Sequence, residues 1–199
     1  MGDNRERILD AAIGVLGADP EAGMGEVASA AGVVRRTVYG HFPSRADLVH
    51  ALAERAVGEV VALFGDDESS ADAAWARFVA RLWPLMHRYR VLVSLRRGEF
   101  GRDIHAVLGP VERGLADLVS RGQRERTFGC HLPAAVLAQA AWTMVFSLAD
   151  VDLAGVAVDA SGATVASLLL LGVPGDRADD LARAATPSPG ASSATPTRP

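Results

Sequence analysis

The sequence lacks lysine entirely and contains a single cysteine, Cys130, among its 199 residues. One cysteine can neither close a disulfide within the chain nor supply the several thiolates of a zinc cage. This excludes a disulfide-stabilised scaffold and a cysteine-rich metal site. The first residues carry charges where an export signal requires an apolar segment. Together these absences favour a protein of the reducing cytoplasm.

Positive charge is in the minority and is unevenly distributed along the chain. There are 20 basic residues, all arginine, against 24 acidic ones, and 49 % of the residues are hydrophobic. The hydrophobic content suffices for a buried core, while the acidic balance argues against a protein that coats nucleic acid or anionic membrane by bulk charge. The window from Val27 through Ala46 departs from this balance, because it contains no Asp or Glu. Its basic side chains are Arg35, Arg36, His41 and Arg45.

The segment Leu132–Ala149 carries no charge, and about 18 apolar residues is the lower limit for a helix that spans a membrane. However, the segment contains Pro133 and Gln139, ends next to Asp150, and lacks flanking arginines. We therefore expect a helix buried inside a folded protein rather than a membrane span.

Apolar residues recur at helical spacing along the chain, without the alternation typical of strands. This pattern predicts an all-α fold. Breaks at Gly and Pro predict helices at about 4–17, 24–31, 33–42, 44–64, 70–89, 90–97, 103–124, 132–150, 160–172 and 176–185. Residues 186–199 are rich in Pro, Ser, Gly, Ala and Thr, so we expect a disordered tail there.

Two short predicted helices are joined through Ala31-Gly32-Val33. Their length and turn chemistry are those of a helix-turn-helix, in which the second helix enters the major groove of DNA. Short helices joined at glycine are common in all-α folds, so this pattern alone is a weak signal. The acid-free window coincides with the second helix, however, and contact with phosphates requires such a positive patch. The two observations together favour DNA binding.

The N-terminal third of the chain also resembles the DNA-binding domain of the TetR family of transcriptional regulators. The resemblance is carried by Arg7–Ala12, Val27–Val33, Thr37–Arg45 and Leu48, which recur in one order at the family's spacing. It implies a helix-turn-helix domain over residues 3–64 and a helical domain over 69–185. In such proteins the helical domain forms a cytoplasmic homodimer and binds a small molecule, which releases the DNA.

The resemblance implies six residues that face DNA. Those on the recognition helix are Arg35, Arg36, Thr37 and Tyr39, and those against the DNA backbone are His41 and Arg45. Arginine can donate two hydrogen bonds to a guanine or a phosphate, and hydroxyl groups can donate to phosphate. A role in the core or in capping remains an alternative for His41 and Tyr39. Phe42 is expected to pack as a core aromatic against the first helix.

Two positions depart from the family pattern. Val34 stands where Ser or Thr often caps the recognition helix, and Gly23 stands where Thr often caps the preceding helix. The loss of a side-chain cap costs about 1 kcal/mol, whereas a glycine costs only about a few tenths. We therefore expect a lower intrinsic affinity for DNA or an altered operator preference.

Aromatic, Met and His side chains on the C-terminal helices are candidates for an effector pocket, since such sites combine an apolar wall with a few polar groups. The alternative is an ordinary core, in which these side chains also recur at helical spacing. The candidate ligand-binding residues are Trp83, Met86, His87, Phe100, His105, Trp142 and Phe146. They favour a small, partly apolar effector. The nearly all-apolar segments 132–149 and 165–171 predict a four-helix interface between two subunits.

Motifs for catalysis, cofactor binding and metal binding are missing from the sequence, including a nucleophile elbow, a glycine-rich phosphate loop and a His-x-x-x-His pair. We therefore expect neither an enzyme nor a cofactor. Asp150 and Asp152 diverge on a helix, so we expect them to end the preceding helix or to lie in solvent. Arg96 is expected in solvent or near the junction of the two domains.

These expectations combine into a ligand-responsive transcriptional regulator, most simply a repressor that binds a pseudo-palindromic, double-stranded DNA operator as a homodimer. The alternative is an all-α dimeric ligand-binding or interaction protein in which DNA binding is weakened or lost, given Val34 and Gly23. Salt-dependent, specific binding to DNA would separate the two hypotheses.

Overall fold

The structure is a computed structural model that describes residues 2–65, 69–96, 98 and 100–186. These ranges contain eleven α-helices and no β-strand, which confirms the predicted all-α fold. The helices are α1 (Gly2–Ala18), α2 (Met24–Ala30), α3 (Arg35–His41), α4 (Arg45–Val61), α5 (Ala71–Arg88), α6 (Arg90–Leu95), α7 (Gly101–Val107), α8 (Gly109–Glu125), α9 (Ala134–Leu153), α10 (Ala160–Leu170) and α11 (Gly175–Ala185). A short 3₁₀ turn, Ala62–Phe64, follows α4.

Two helix boundaries differ from the prediction. The single helix expected over about 103–124 is in fact two helices, α7 and α8, which meet at Leu108. Pro110 lies in the first turn of α8, where its missing N–H is tolerated, whereas the interior of one long helix would not accept it. Helix α9 continues to Leu153, past the expected end at about residue 150. The tail expected after residue 186 lies outside the described residues.

The first hydrophobic core is formed by α1 to α4 together with parts of α6 and α7. Ile8 of α1, Phe42 after α3 and Leu48 of α4 are at most 2 % exposed. Phe42 therefore has the core role expected for it. Leu92 of α6 and Ile104 of α7 belong to the same cluster. Residues beyond the predicted domain boundary thus complete this core, and the boundary itself stays a prediction.

The second hydrophobic core lies among α5, α8, α9, α10 and α11. Trp75 of α5 is fully buried at its centre, and its indole Nε1–H donates to the Ser167 hydroxyl of α10 at 3.0 Å. Leu115, Leu137 and Leu168 come from three further helices and are at most 1 % exposed. Burial of each such side chain contributes about 1.5–3 kcal/mol. Tryptophan burial is stabilised here because its one polar group has a partner.

Helix α4 takes part in both cores. Leu48 and Leu52 in its first half are fully buried in the first core, while Val57 and Val60 in its second half pack against the second core. Since α4 is one uninterrupted helix of 17 residues, movement of one half is transmitted to the other. The two cores are therefore mechanically connected.

A polar network reinforces this junction. The Tyr89 hydroxyl donates to the Glu59 carboxylate of α4 at 2.6 Å, and Arg88 donates to the same carboxylate at 3.1 Å. Arg55 of α4 lies 3.5 Å from Glu59 and donates to Asp10 of α1 at 2.7 Å. Burial and then the hydrogen bond to Glu59 raise the pKa of Tyr89 to about 12. The network therefore links the end of α5 to α1 through α4.

We expect Tyr89→Phe to remove part of the pH dependence of stability. An unfolded tyrosine ionises near about pH 10. Since the folded protein holds this proton more tightly, the stabilising contribution is complete below about pH 10 and is lost as the pH rises towards 12. Over that interval the free energy of unfolding of the wild-type protein should fall by about 2 kcal/mol more than that of the variant, as measured by urea denaturation.

Tyr39→Phe is the matched control, because Tyr39 is the other tyrosine of the chain and lies exposed on α3. This variant should keep the wild-type pH dependence. Parallel curves for wild type and Tyr89→Phe would show that the Tyr89 hydroxyl does not stabilise the junction.

Candidate nucleic-acid interface and ligand cavity

Helices α2 and α3 form a helix-turn-helix that is held from within the first core. Gly32 in the turn has φ +65°, a left-handed conformation that favours glycine, and its N–H donates to the Ser29 carbonyl at 3.2 Å. The Val33 N–H donates to the Ala28 carbonyl at 3.0 Å. From α1, Arg7 donates to the Ala31 carbonyl at 3.1 Å. These contacts fix the direction in which α3 leaves the turn.

Helix α3 buries only one of its seven residues, Val38, which is fully enclosed in the first core. Arg35, Arg36 and Tyr39 are exposed on the rest of the helix, and Thr37 is half-buried. The structure thus brings together the four residues expected on the recognition helix. Their contact with DNA stays a prediction.

Arg35 packs back onto α2 at Gly25. A β-carbon at position 25 would lie 3.1 Å from Nε of Arg35, which is closer than ordinary contact. The absence of a side chain at Gly25 therefore makes room for the guanidinium of an interface arginine. The sequence pattern does not identify Gly25, because it does not show which side chain passes over a glycine.

The two residues expected against the DNA backbone lie at the edge of this surface. His41 is half-buried at the end of α3, with its ring centroid 6.3 Å from that of Phe42. Arg45 begins α4, donates to the Pro20 carbonyl, and lies with its guanidinium carbon 5.2 Å from the centre of the Phe100 ring. Arg45 thus joins the α1–α2 loop to the start of α7, in addition to its expected role towards DNA.

The helix caps of this region are unequal. The Asp47 N–H donates to the Ser44 hydroxyl at 3.1 Å, and the Asp47 carboxylate accepts the Ser44 N–H at 2.9 Å, a complete capping box for α4. At α2 the Glu26 carboxylate accepts the Gly23 N–H at 2.7 Å, which supplies half of such a box. Val34 gives α3 no side-chain cap and is 69 % exposed. The departure at Val34 is therefore uncompensated.

A cavity of about 80 Å³ lies between the two cores. Helices α4 to α9 contribute to its wall, and α4 does so through Ala53, Ala56, Val57 and Val60. Of the predicted ligand-binding residues, four line this cavity: Met86, His105, Trp142 and Phe146. His105 is exposed as well, so it lies at the edge of the cavity.

The other three candidates lie elsewhere, contrary to the predicted pocket. Trp83 is buried, with its ring centroid 5.9 Å from the His87 ring. His87 lies at the surface, where its Nε2 is 3.0 Å from the Asp152 carboxylate. Phe100 packs in the first core beneath Arg45. Helical periodicity identified these side chains as inward-facing or polar, but it does not distinguish the two cores from the cavity between them.

Arg96 lines the cavity, which the sequence did not predict. Its guanidinium carbon lies 4.8 Å from the centre of the Phe146 ring, and its Nη2 donates to the Asp150 carboxylate, which is 9 % exposed. Asp150 therefore does not lie in solvent, whereas Asp152 lies one residue before the end of α9, where its carboxylate also accepts the Val158 N–H at 3.2 Å. Both carboxylates pair with basic side chains from the α5–α6 region, and α9 continues past them.

Two further features of the molecule bear on metal binding and on membrane insertion. No group of three or more His, Cys, Asp or Glu side chains suited to a metal ion occurs within the described ranges. Helix α9 is the one described helix long and apolar enough to cross a membrane. Its residues Leu137, Ala141 and Trp142 are buried in the second core, as in core helices of globular proteins.

Comparison with known proteins agrees with this geometry at the N-terminus. Residues 8–52 match the profile of the bacterial regulatory proteins of the TetR family. The transcriptional repressor LfrR of Mycolicibacterium smegmatis is 53 % identical over 49 residues, which are 25 % of this chain and 26 % of LfrR. The sequence match therefore spans about a quarter of the length of that relative.

Similarity in fold extends over most of the chain. The structure of LfrR from Mycobacterium smegmatis in complex with proflavine has a TM-score of 0.68 at 23 % identity, covering 86 % of this chain and 95 % of that one. FadR from Bacillus subtilis in complex with stearoyl-CoA has a TM-score of 0.73 at 17 % identity, covering 85 % and 98 %. Residues 8–52 thus match the TetR family in sequence, and most of the chain shares the all-α fold of LfrR and FadR.

Proposed function

We propose that this protein is a cytoplasmic, ligand-responsive repressor of transcription. It binds a pseudo-palindromic operator as a homodimer and is released by a small, partly apolar effector. The observation that carries the proposal is the exposed face of α3, with Arg35 and Arg36 in a stretch of sequence that has no acidic residue. LfrR, which is 53 % identical to this chain over 49 residues, is itself a repressor.

The chemistry of α3 suits a DNA groove. An arginine donates two parallel hydrogen bonds to guanine O6 and N7, or to a phosphate. Thr37 and Tyr39 supply hydroxyl donors for phosphates beside them. His41 and Arg45 extend the basic surface to the start of α4. The acidic groups nearest in sequence, Glu26 and Asp47, are engaged by the N–H groups of helix starts. Between these two residues the chain has three arginines and no acidic side chain, so this stretch is positive although the whole chain carries a net charge of −4.

Exposed apolar side chains support a two-fold interface through α9 and α10. Val136 on α9 is 51 % exposed and Leu169 on α10 is 48 % exposed. Further exposed apolar residues lie beside them on the same two helices and their flanking segments: Leu132, Val151, Leu153 and Val156. Such a surface is covered when two copies pack these helices into a four-helix bundle. The same arrangement presents two α3 helices to one DNA duplex.

The cavity provides a route by which an effector acts on DNA binding. Its volume of about 80 Å³ is well below the roughly 300–1,000 Å³ of sites for drug-sized ligands. A ligand must therefore push the wall outwards, and α4 forms part of that wall. Because the first half of α4 is buried in the helix-turn-helix core, its displacement changes the position of α3. LfrR and FadR, which share this fold, have structures with bound proflavine and stearoyl-CoA.

The test of the DNA-binding role is Arg36→Ala. We expect the affinity for DNA flanking the protein's own gene to fall about tenfold or more, since each arginine contact to a base is worth about 1–3 kcal/mol. Fluorescence anisotropy at several salt concentrations measures both the affinity and its salt dependence.

Arg102→Ala is the control, because Arg102 is exposed on α7 outside the helix-turn-helix. It should bind DNA as the wild type does. If the wild-type protein fails to bind, or binds without dependence on salt, the alternative of an all-α ligand-binding or interaction protein is favoured.

We expect Val34→Ser to increase operator affinity. A serine at this position supplies the missing cap of α3, worth about 0.5–2 kcal/mol, and places a hydroxyl at an exposed position beside the interface. Val34→Ala is the matched control, since it shortens the side chain without providing a cap. Titrated binding in which Val34→Ser is unchanged or weaker than wild type would reject the expectation.

We expect Leu169→Glu to convert the dimer into monomers at micromolar concentration and to weaken operator binding in parallel. The substitution places a charge in the centre of the apolar interface, where it would be desolvated. Analytical ultracentrifugation reports the mass. Val61→Glu changes an exposed apolar residue at the end of α4 instead, and should leave the mass unchanged. A wild-type protein that sediments as a monomer would contradict the proposed interface.

A further inference from the structure

The inner surface of the cavity is formed by apolar atoms. Most of the described residues that line it are aliphatic, and most lie within helices, whose backbone N–H and C=O groups bond to one another. The lining residues with a nitrogen or oxygen atom in the side chain are Tyr89, Arg96, His105 and Trp142. Among the described residues, none of these polar atoms forms part of the inner surface. A ligand in the cavity therefore contacts apolar side-chain surface.

Two of these polar groups are held by partners that do not line the cavity. The Tyr89 hydroxyl donates to the Glu59 carboxylate at 2.6 Å. The Arg96 Nη2 donates to the Asp150 carboxylate, and its guanidinium carbon lies 4.8 Å from the centre of the Phe146 ring. A ligand that turned either group towards itself would first have to break these contacts. The internal partners therefore keep the wall apolar when a ligand enters.

Such a wall penalises every hydrogen-bonding group on a ligand. A hydroxyl or carbonyl group that leaves water for this cavity loses its hydrogen bonds to water and finds no replacement, which lowers the affinity about tenfold or more. The penalty for a charged group is larger still. A hydrocarbon group loses no hydrogen bond, and it gains dispersion contacts with the surrounding side chains.

The volume of the cavity limits the size of its ligand. It is about 80 Å³, whereas an apolar cavity of about 150 Å³ in a protein interior stays dry and binds benzene. A single ring therefore already moves the wall outwards. Met86 provides an adaptable part of the wall because its side chain is flexible, and Trp142 and Phe146 provide flat apolar surfaces.

We propose that the ligand of this cavity is a hydrocarbon of about one ring, without a hydrogen-bonding group, that is held by apolar contacts alone. This inference rests on the proposed function, since it names the chemical class of the effector at the same cavity. It narrows the partly apolar effector proposed above to an apolar one.

The test compares toluene with phenol, which have one benzene ring and the same number of non-hydrogen atoms and differ in a methyl or a hydroxyl group. Isothermal titration calorimetry with the full-length protein measures both affinities. We expect toluene to bind about tenfold or more tightly than phenol, because the phenol hydroxyl would be buried without a partner. Phenol that binds as tightly as toluene, or more tightly, overturns the proposal and leaves an effector cavity in place.

Ala56→Leu tests where toluene binds. Ala56 is part of the α4 side of the wall, so a larger side chain there fills part of the small volume, and the affinity for toluene should fall about tenfold or more. Ala62→Leu, at an exposed position just after α4, is the matched control and should bind toluene as the wild type does.

Thermal melting establishes that each variant is folded. Val57→Leu fills the same wall by one carbon and takes the place of Ala56→Leu if that variant does not fold. Unchanged toluene binding by a folded filling variant shows that toluene binds elsewhere and overturns the proposal.

A second measurement separates this inference from the proposed function. Saturating toluene is added to the complex of the wild-type protein with DNA flanking its own gene, and fluorescence anisotropy reports the release of the DNA. Release supports both. Toluene that binds in the cavity without releasing DNA supports the ligand class but contradicts the effector role of the cavity. If neither toluene nor phenol binds, this inference and the effector-binding part of the proposed function both fail, while titration of the operator alone still decides the DNA-binding role.

Discussion

The burial of α4 in two cores is the constraint on which the rest of the structure depends. The second half of α4 cannot move without disturbing Leu48 and Leu52 in its first half, which are buried among the residues that position α3. Interiors are close-packed, so a displacement is passed on rather than absorbed. The cavity lies against this helix, so a change in that part of the cavity wall involves α4.

Polar contacts at the junction also connect the two cores. Tyr89 lines the cavity, and its hydroxyl donates to the Glu59 carboxylate. Arg88 donates to the same carboxylate, and Arg55 lies beside it. Arg55 in turn donates to Asp10 of α1. Arg45 contacts the Pro20 carbonyl in the loop after α1 and the Phe100 ring before α7, and Arg90 of α6 donates to the Gly17 carbonyl of α1. The helix-turn-helix is therefore attached to the helical region by packing in α4 and by charged side chains around it. Both attachments must adjust together when the cavity changes.

Much of the N-terminal architecture could be predicted from the sequence, since its signals are local. Gly32, the pair Ser44 and Asp47, and the spacing of Val38 each specify a turn, a cap or a buried face within a few residues. The cavity could be predicted only in part. Met86 and Trp142 were identified because large side chains mark the inside of helices, while Phe100 was assigned to the cavity although it packs in the other core.

The remaining differences arise from contacts between distant parts of the chain. Nothing local to Asp150 indicates that its carboxylate accepts a hydrogen bond from Arg96, which is 54 positions away in the chain. The aliphatic wall from α4 was missed for the same reason, because Ala53 and Val57 are unremarkable in sequence and acquire their role from the helices packed against them. Pairing and packing of this kind depend on the tertiary fold and not on periodicity.

Gly25 shows how far the control of a surface can extend beyond it. A β-carbon at position 25 would lie 3.1 Å from Nε of Arg35, so a larger residue there would require the arginine side chain to shift. A combinatorial library that randomises only the seven residues of α3 would keep Gly25 constant. Any effect of position 25 on the surface would then be attributed to α3. Redesign of the surface therefore has to treat a residue without a side chain as one of its variables.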